Sequence, residues 1–328
     1  SIDLKSLRQR SNTCFVLGAF LNIYARPAKN GYSYLKEGIS SGLQSGELQF
    51  AGYNISGLGQ VTTTSGSSLS VLDERMYEGL QIAEKTKNQF VKSTILVFYQ
   101  LIHDLGGPSS LKEFESEENI YALLEKEQNY FGRFYFSLYK GFSSYLLGDA
   151  KGAYEHLANA KNYLSAVPGS VVLADYYIYL PLIALELIDL SNPEEDLQNS
   201  IEESITILEK WNSSIPENFQ FRIDLIKAIK KDKEGHVLEA LELYDAAIDQ
   251  ATKQEMLPLK AIALEKAGIM MLNHGKSRIG EVYLKDAYLT YLEYGAINKV
   301  NQLQEIYPTL FQKGQKQKSL TISETTRT

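Results

Sequence analysis

The sequence predicts an all-α fold, a helical-repeat solenoid of long paired helices. Three observations carry that prediction. Apolar residues recur at helical spacing nearly throughout the 328 residues. Glycines fall where one amphipathic stretch gives way to the next. A single spacing of small and apolar residues returns three times. Runs of Val, Ile and Thr are few, which leaves little room for strands. Only eight prolines interrupt the chain, so long helices can persist.

The helices are expected in order near 2–25, 31–44, 46–63, 68–86 and 88–104. They continue near 117–127, 129–147, 150–165, 169–190 and 195–212. The last five lie near 217–231, 235–251, 256–274, 277–294 and 296–305. The pattern from Val237 illustrates the reasoning. Val237, Ala240, Leu241, Tyr244, Ala247, Ile248 and Ala251 share one face, while Glu239, Glu242, Asp245 and Asp249 look away. That is a one-sided helix of about four turns. Gly106–Gly107, Gly148, Gly235, Gly275 and Gly295 sit at the breaks, where a left-handed residue ends a helix. Segment 106–117 is the longest interior loop. Residues 1–311 form the expected repeat domain. Residues 312–328 lack apolar periodicity and read as a flexible linker.

The repeat is explicit. Gly141, Gly148, Ala153, Leu157 and Ala160 share their spacing with Ala228, Gly235, Ala240, Tyr244 and Ala247. Gly268, Gly275, Gly280, Leu284 and Ala287 repeat it again. A small residue on the first helix admits the second closely, and the glycine permits a tight reversal. The small residue early in the second helix receives its partner, and the Leu or Tyr one turn later fills the space between pairs. Gly46, Ala51, Ile55 and Leu58 make a partial copy.

Composition excludes several function classes. The net charge of −7 and a pI near 5.3 argue against nucleic acid as a partner, since such binders usually show a basic face. The single cysteine, Cys14, allows no internal disulfide and fits a reducing, cytoplasmic compartment. It lies in an apolar stretch and reads as a core thiol. The apolar run from Val171 to Leu190 contains Asp175, Pro181 and Glu186. A carboxylate at mid-bilayer costs about 2.5–3.5 kcal/mol, so this run reads as a core helix rather than a membrane span.

Each motif with catalytic overtones lacks a residue that its chemistry needs. His103-Asp104-Leu105-Gly106-Gly107-Pro108 has the outline of a histidine-kinase phosphoacceptor box. Glycines replace its basic and hydroxyl positions and end the helix it needs. Gly275-Lys276-Ser277 resembles the end of a phosphate-binding loop, but Met270 stands where the first glycine belongs and no strand precedes it. Gly57-Leu58-Gly59 is half of a dinucleotide fingerprint inside a predicted helix. His103, His156, His236 and His274 lie far apart, so no metal site is expected. The reading is of a chain with no catalytic residues, cofactor or metal.

The small–Gly–Ala–aromatic–Ala series resembles the consensus of tetratricopeptide repeats. Copies two and three lie 40 residues apart, longer than that family's period of about 34, and the consensus tryptophan is missing. The resemblance implies a right-handed solenoid with a concave groove that binds a protein or peptide. Tyr130, Phe131, Phe134, Tyr135, Phe136, Tyr139, Phe142 and Tyr145 wrap most of one helix. This set is read either as a central packed helix or as an aromatic groove wall. Carrying over the family's groove positions puts Tyr135, Leu138, Phe142, Tyr145, Arg222 and Glu265 inward.

A longer resemblance covers Gly31–Gly59 and Glu239–Phe311, together with Trp211…Pro216-Glu217-Asn218-Phe219 and Tyr294-Gly295-Ala296. These stretches are similar to the helical region of very large microbial sensor kinases. Such proteins run from a serine/threonine-kinase-like domain through an AAA/STAND ATPase and helical repeats to a GAF domain and a histidine kinase. The resemblance implies a non-catalytic interaction and relay segment whose partners are other domains of its parent chain. A free-standing repeat protein that binds a peptide is the alternative.

Overall fold

The computed structural model describes residues 4–189 and 191–311. The stretch expected to be a linker, 312–328, lies outside them. Among the described residues the chain forms sixteen α-helices and no strand. They are α1 (Leu4–Val16), α2 (Gly31–Ser45), α3 (Leu48–Thr64), α4 (Leu69–Lys85), α5 (Gln89–Asp104) and α6 (Glu117–Lys126). Then come α7 (Tyr130–Leu146), α8 (Ala150–Lys161), α9 (Leu173–Leu187), α10 (Glu195–Asn212) and α11 (Pro216–Lys233). The chain closes with α12 (Val237–Lys253), α13 (Leu257–Asn273), α14 (Ser277–Tyr294), α15 (Ile297–Ile306) and the short α16 (Pro308–Phe311).

Consecutive helices pack as neighbours. In addition, each odd-numbered helix from α1 to α11 touches the next odd-numbered one. The odd helices therefore make a continuous inner row, with the even ones laid outside it. Burial follows this division. Every residue from Ser93 to Ile102 in α5 and from Ile178 to Leu185 in α9 is buried, whereas α12 and α14 bury only one stripe. The apolar run that begins at Val171 contains this inner helix α9, which spans Leu173–Leu187. Among the described residues no helix is long and apolar enough to cross a membrane.

The repeat spacing has the mechanical meaning expected of it. Gly148, Gly235 and Gly275 all take positive φ at turns between paired helices. A Cβ on Gly268 would stand 2.8 Å from the Leu284 side chain and 3.1 Å from the Gly280 carbonyl, so α13 and α14 approach along bare backbone. The partial copy at Gly46 differs in phase, since its turn leads from α2 into the inner helix α3.

Two expectations differ in detail. The first predicted helix, 2–25, is α-helical only to Val16. It continues as a π-turn at Leu17–Leu21 and a 3₁₀ turn at Asn22–Tyr24. Gly18 lies in this turn close against α2, where a Cβ would fall 2.6 Å from the Leu35 side chain. The helix expected over 150–165 ends at Lys161 and is followed by a 3₁₀ turn at Leu164–Ala166.

Hydrogen bonds also join helices far apart in sequence. Leu257 N–H donates to the Gly66 carbonyl at 3.3 Å, and Asn298 N–H donates to the Leu105 carbonyl at 3.0 Å. Gln302 Nε2 donates to the Leu147 carbonyl at 2.7 Å. An ideal solenoid has contacts only between adjacent repeats. Here the row of helices turns back on itself, and early helices meet late ones.

Candidate functional site

Two openings and one buried polar cluster carry the features that could serve a function. The first opening is an aromatic socket between α1, α3, α5 and α7. Phe15, Tyr53, Phe90 and Phe131 surround it, with Ser56, Gln60, Thr94 and Tyr135 also lining a space of about 120 Å³. The rings brace one another: Phe15 stands 5.5 Å from Tyr53, and Tyr53 stands 6.0 Å from Phe90. Phe131 is the most exposed of the four. The Ser56 hydroxyl is buried without a hydrogen-bond partner among the described residues. Gln60 accepts a bond from the Ser170 hydroxyl at 2.9 Å, which ties the lining to the segment that enters α9. A cavity of roughly 150 Å³ holds one benzene-sized group, so this socket suits a single apolar side chain.

The second opening is a charged cleft of about 200 Å³ lined from α7, α8, α9, α13, α14 and α15. Lys299 Nζ meets Glu265 Oε1 at 2.6 Å, and the Tyr291 hydroxyl donates to Glu265 Oε2 at 2.7 Å. Lys299 also donates to Gln302 Oε1 at 3.0 Å. Across the cleft, Lys266 pairs with Glu186. The Tyr145 hydroxyl faces this set with no partner among the described residues. Burial, reinforced by Glu186 and Glu265, holds the Tyr145 phenol well above its ordinary range, so the ring stays neutral.

The third feature is the buried polar cluster. Thr64 Oγ1 donates to Asp175 Oδ2 at 2.7 Å, and Arg222 Nη2 lies 4.0 Å from Asp175 Oδ1. Arg222 also donates to the Thr64 carbonyl at 3.0 Å and to the Asn218 carbonyl. Asn218 fixes the first loop: its amide donates to the carbonyls of Ile23 at 2.6 Å and Arg26 at 2.8 Å, and its oxygen accepts from Ala28 N–H at 3.0 Å. Burial pushes the Asp175 carboxyl up to about 6, outweighing the Arg222 charge and the Thr64 hydrogen bond. The same burial lowers the Arg222 guanidinium. Both directions indicate that desolvation exceeds the attraction across 4.0 Å.

The six residues expected to face a groove divide among these places. Tyr135 lines the socket, and Tyr145 and Glu265 meet in the cleft. Leu138 and Phe142 are buried in the core, with Phe142 stacked on Tyr179 of α9 at 4.4 Å. Arg222 belongs to the deep cluster. All six are under 10% exposed. The socket wall from Phe15, Tyr53 and Phe90 and the cleft residues Lys266, Lys299 and Glu186 escaped sequence reasoning. They come from helices many turns apart, and no local spacing links them.

The motifs with catalytic overtones have structural places. His103 ends α5 and stacks on Phe114 at 4.4 Å, with Gly106 at φ +70° closing the helix. Gly275-Lys276-Ser277 is the turn between α13 and α14. Gly59 sits inside α3, where a Cβ would strike the Phe98 ring at 2.4 Å. Cys14 is buried, and burial pushes its thiol up. Among the described residues no group of His, Cys, Asp and Glu could hold a metal ion. Scans of family models and of curated proteins found no match to this chain.

Proposed function

We propose that this chain is a non-catalytic interaction and relay module, a right-handed tetratricopeptide-like superhelix, and that it works inside a multidomain sensor kinase between an ATPase and GAF and histidine-kinase domains. One observation carries the relay reading: hydrogen bonds join early helices to late ones. Asn218 of α11 holds the 23–28 loop, Arg222 reaches Thr64 of α3, and Gln302 of α15 reaches the end of α7. A displacement at one end of the helix row therefore moves groups at the other. The interaction reading rests on the aromatic socket, which would accept one apolar anchor residue of a partner. Its Gln60–Ser170 bond leads into the segment before Asp175, so occupancy of the socket bears on the buried cluster.

Asn218→Ala tests the relay. It removes three bonds to the first loop and should raise amide hydrogen exchange in α1 and α3 as well as in 22–28. Exchange that rises in 22–28 alone defeats the relay. Gene sequence on either side of Ser1 and Thr328 tests the placement. An ATPase before and a GAF domain after supports it, whereas start and stop codons at these ends favour a free-standing peptide-binding protein.

A further inference from the structure

We propose that the groove between α8 and α10 binds a linear polyamine, a methylene chain with an ammonium at each end. Both outer helices pack on α9, and the groove of about 490 Å³ between them has α9 as its floor. Tyr176, Tyr177 and Leu180 make that floor. Tyr154 stands on the α8 wall, and Asp196 and Glu203 stand on the α10 wall. The two floor tyrosines form a corner, their rings 5.2 Å apart and 82° from parallel. Phe134 backs Tyr176 at 5.8 Å, and Trp211 backs Tyr177 at 5.6 Å, so the corner is braced from within the protein. Ring faces attract an ammonium and also cover the methylenes beside it.

The polar groups of the groove call for positive charge. Tyr176 is only 2% exposed, yet its hydroxyl makes no hydrogen bond among the described residues. The groups that act on this phenol, Tyr177, Glu203 and Tyr154, all line the groove, so the hydroxyl is turned toward it. Burial pushes the Tyr176 and Tyr177 phenols up, and the Glu203 charge adds to it, so both stay neutral and offer lone pairs. Among the described residues neither the Asp196 nor the Glu203 carboxylate is engaged in an ion pair or a hydrogen bond. Glu203 is half-buried beside two neutral phenols. It lacks the cation that would offset its lost hydration.

Spacing selects the kind of cation. Asp196 and Glu203 are seven residues apart on one face of α10, two turns or about 10 Å along the axis. A single ammonium reaches one carboxylate and leaves the other unpaired. A chain charged at both ends spans the two, with its methylenes along Tyr176 and Leu180. Lys161 on the α8 wall is exposed, pairs with neither carboxylate, and opposes any cation that enters.

Equilibrium dialysis of the full chain against spermidine at low salt tests the proposal. The expected result is one site with a dissociation constant on the order of 100 µM. Glu203→Gln should weaken it about tenfold, and adding Asp196→Asn about tenfold more, since each removes one charge pair. Lys161→Gln should tighten it about threefold by removing a repulsion. Putrescine, too short to reach both carboxylates, should bind about tenfold more weakly than spermidine. Octane-1,8-diol, which has the length without the charge, should not compete. The three substituted side chains lie at the groove surface, so far-ultraviolet spectra and melting temperatures should match those of the native chain. Spermidine that fails to bind at about 5 mM overturns the proposal. So does a diol that competes equally, which would mark the groove as merely apolar. Glu195→Gln removes a charge from α10 outside the groove, and a loss there as large as that from Glu203→Gln also overturns it. That result would mean attraction to the net charge of −7 rather than a site.

Discussion

The aromatic socket and the charged cleft are similar in size but differ in what a visiting group must displace. In the socket, four rings from four helices enclose about 120 Å³ whose lining bonds lead away from the opening. A visiting apolar side chain there breaks no hydrogen bond. In the cleft, about 200 Å³ is bounded by two ion pairs that satisfy each other across helices. A visiting charge there must first break a pair already made. The difference teaches that opening volume alone does not mark a binding place. The socket is poised for an apolar anchor, while the cleft acts chiefly as a clasp between α9, α13 and α15.

Four measurements break or sharpen this contrast. The largest effect is expected from Tyr135→Ala, which removes a fully buried ring from the socket lining. Urea denaturation should show a loss of about 4 kcal/mol. Next comes Glu265→Gln, which leaves the nearly buried Lys299 without its counter-ion and should cost about 3 kcal/mol. If the cleft is a binding place rather than a clasp, that loss falls below about 1 kcal/mol.

The third concerns the buried polar cluster. Asp175 is held at about 6 against an ordinary value of 3.8, so the folded chain binds its proton more tightly than the unfolded chain. Its contribution to stability therefore falls as pH rises from about 4 to about 6, by on the order of 2–3 kcal/mol. Subtracting the pH–stability curve of Asp175→Asn from that of the native chain isolates this change. A difference curve that is flat across the window refutes it. The smallest effects are expected where each opening holds an unpartnered hydroxyl. Ser56→Ala in the socket and Tyr145→Phe in the cleft should be neutral or stabilising by up to about 1 kcal/mol, since each removes a buried group with no partner.

Much of the architecture was legible in the sequence because helix pairing is a local matter. The spacing around Gly141, Ala228 and Gly268 located three helix pairs, and the turn glycines placed their ends to within a few residues. The departure at Leu17–Leu21 was not legible, because apolar spacing continues through it and the close neighbour of Gly18, Leu35, belongs to the next helix. The site was harder for the same reason. Tyr135, Tyr145 and Glu265 are buried and line the two openings, but periodicity cannot distinguish a residue facing an opening from one facing a neighbour. Lys299 lies 34 residues from Glu265, and no pattern along the chain reports that they meet at 2.6 Å.

The bond from Arg222 to Thr64 spans 158 residues. At about 5–20 residues per second, a ribosome that has finished α3 takes roughly 8–30 seconds to make α11. Through that interval Asp175, once made, has no guanidinium, and the 23–28 loop has no Asn218 to hold it. The early helices thus emerge as an incomplete shell with their inner aromatics uncovered. Nascent chains of this protein should call on holding chaperones early in synthesis and release them only once the eleventh helix is out.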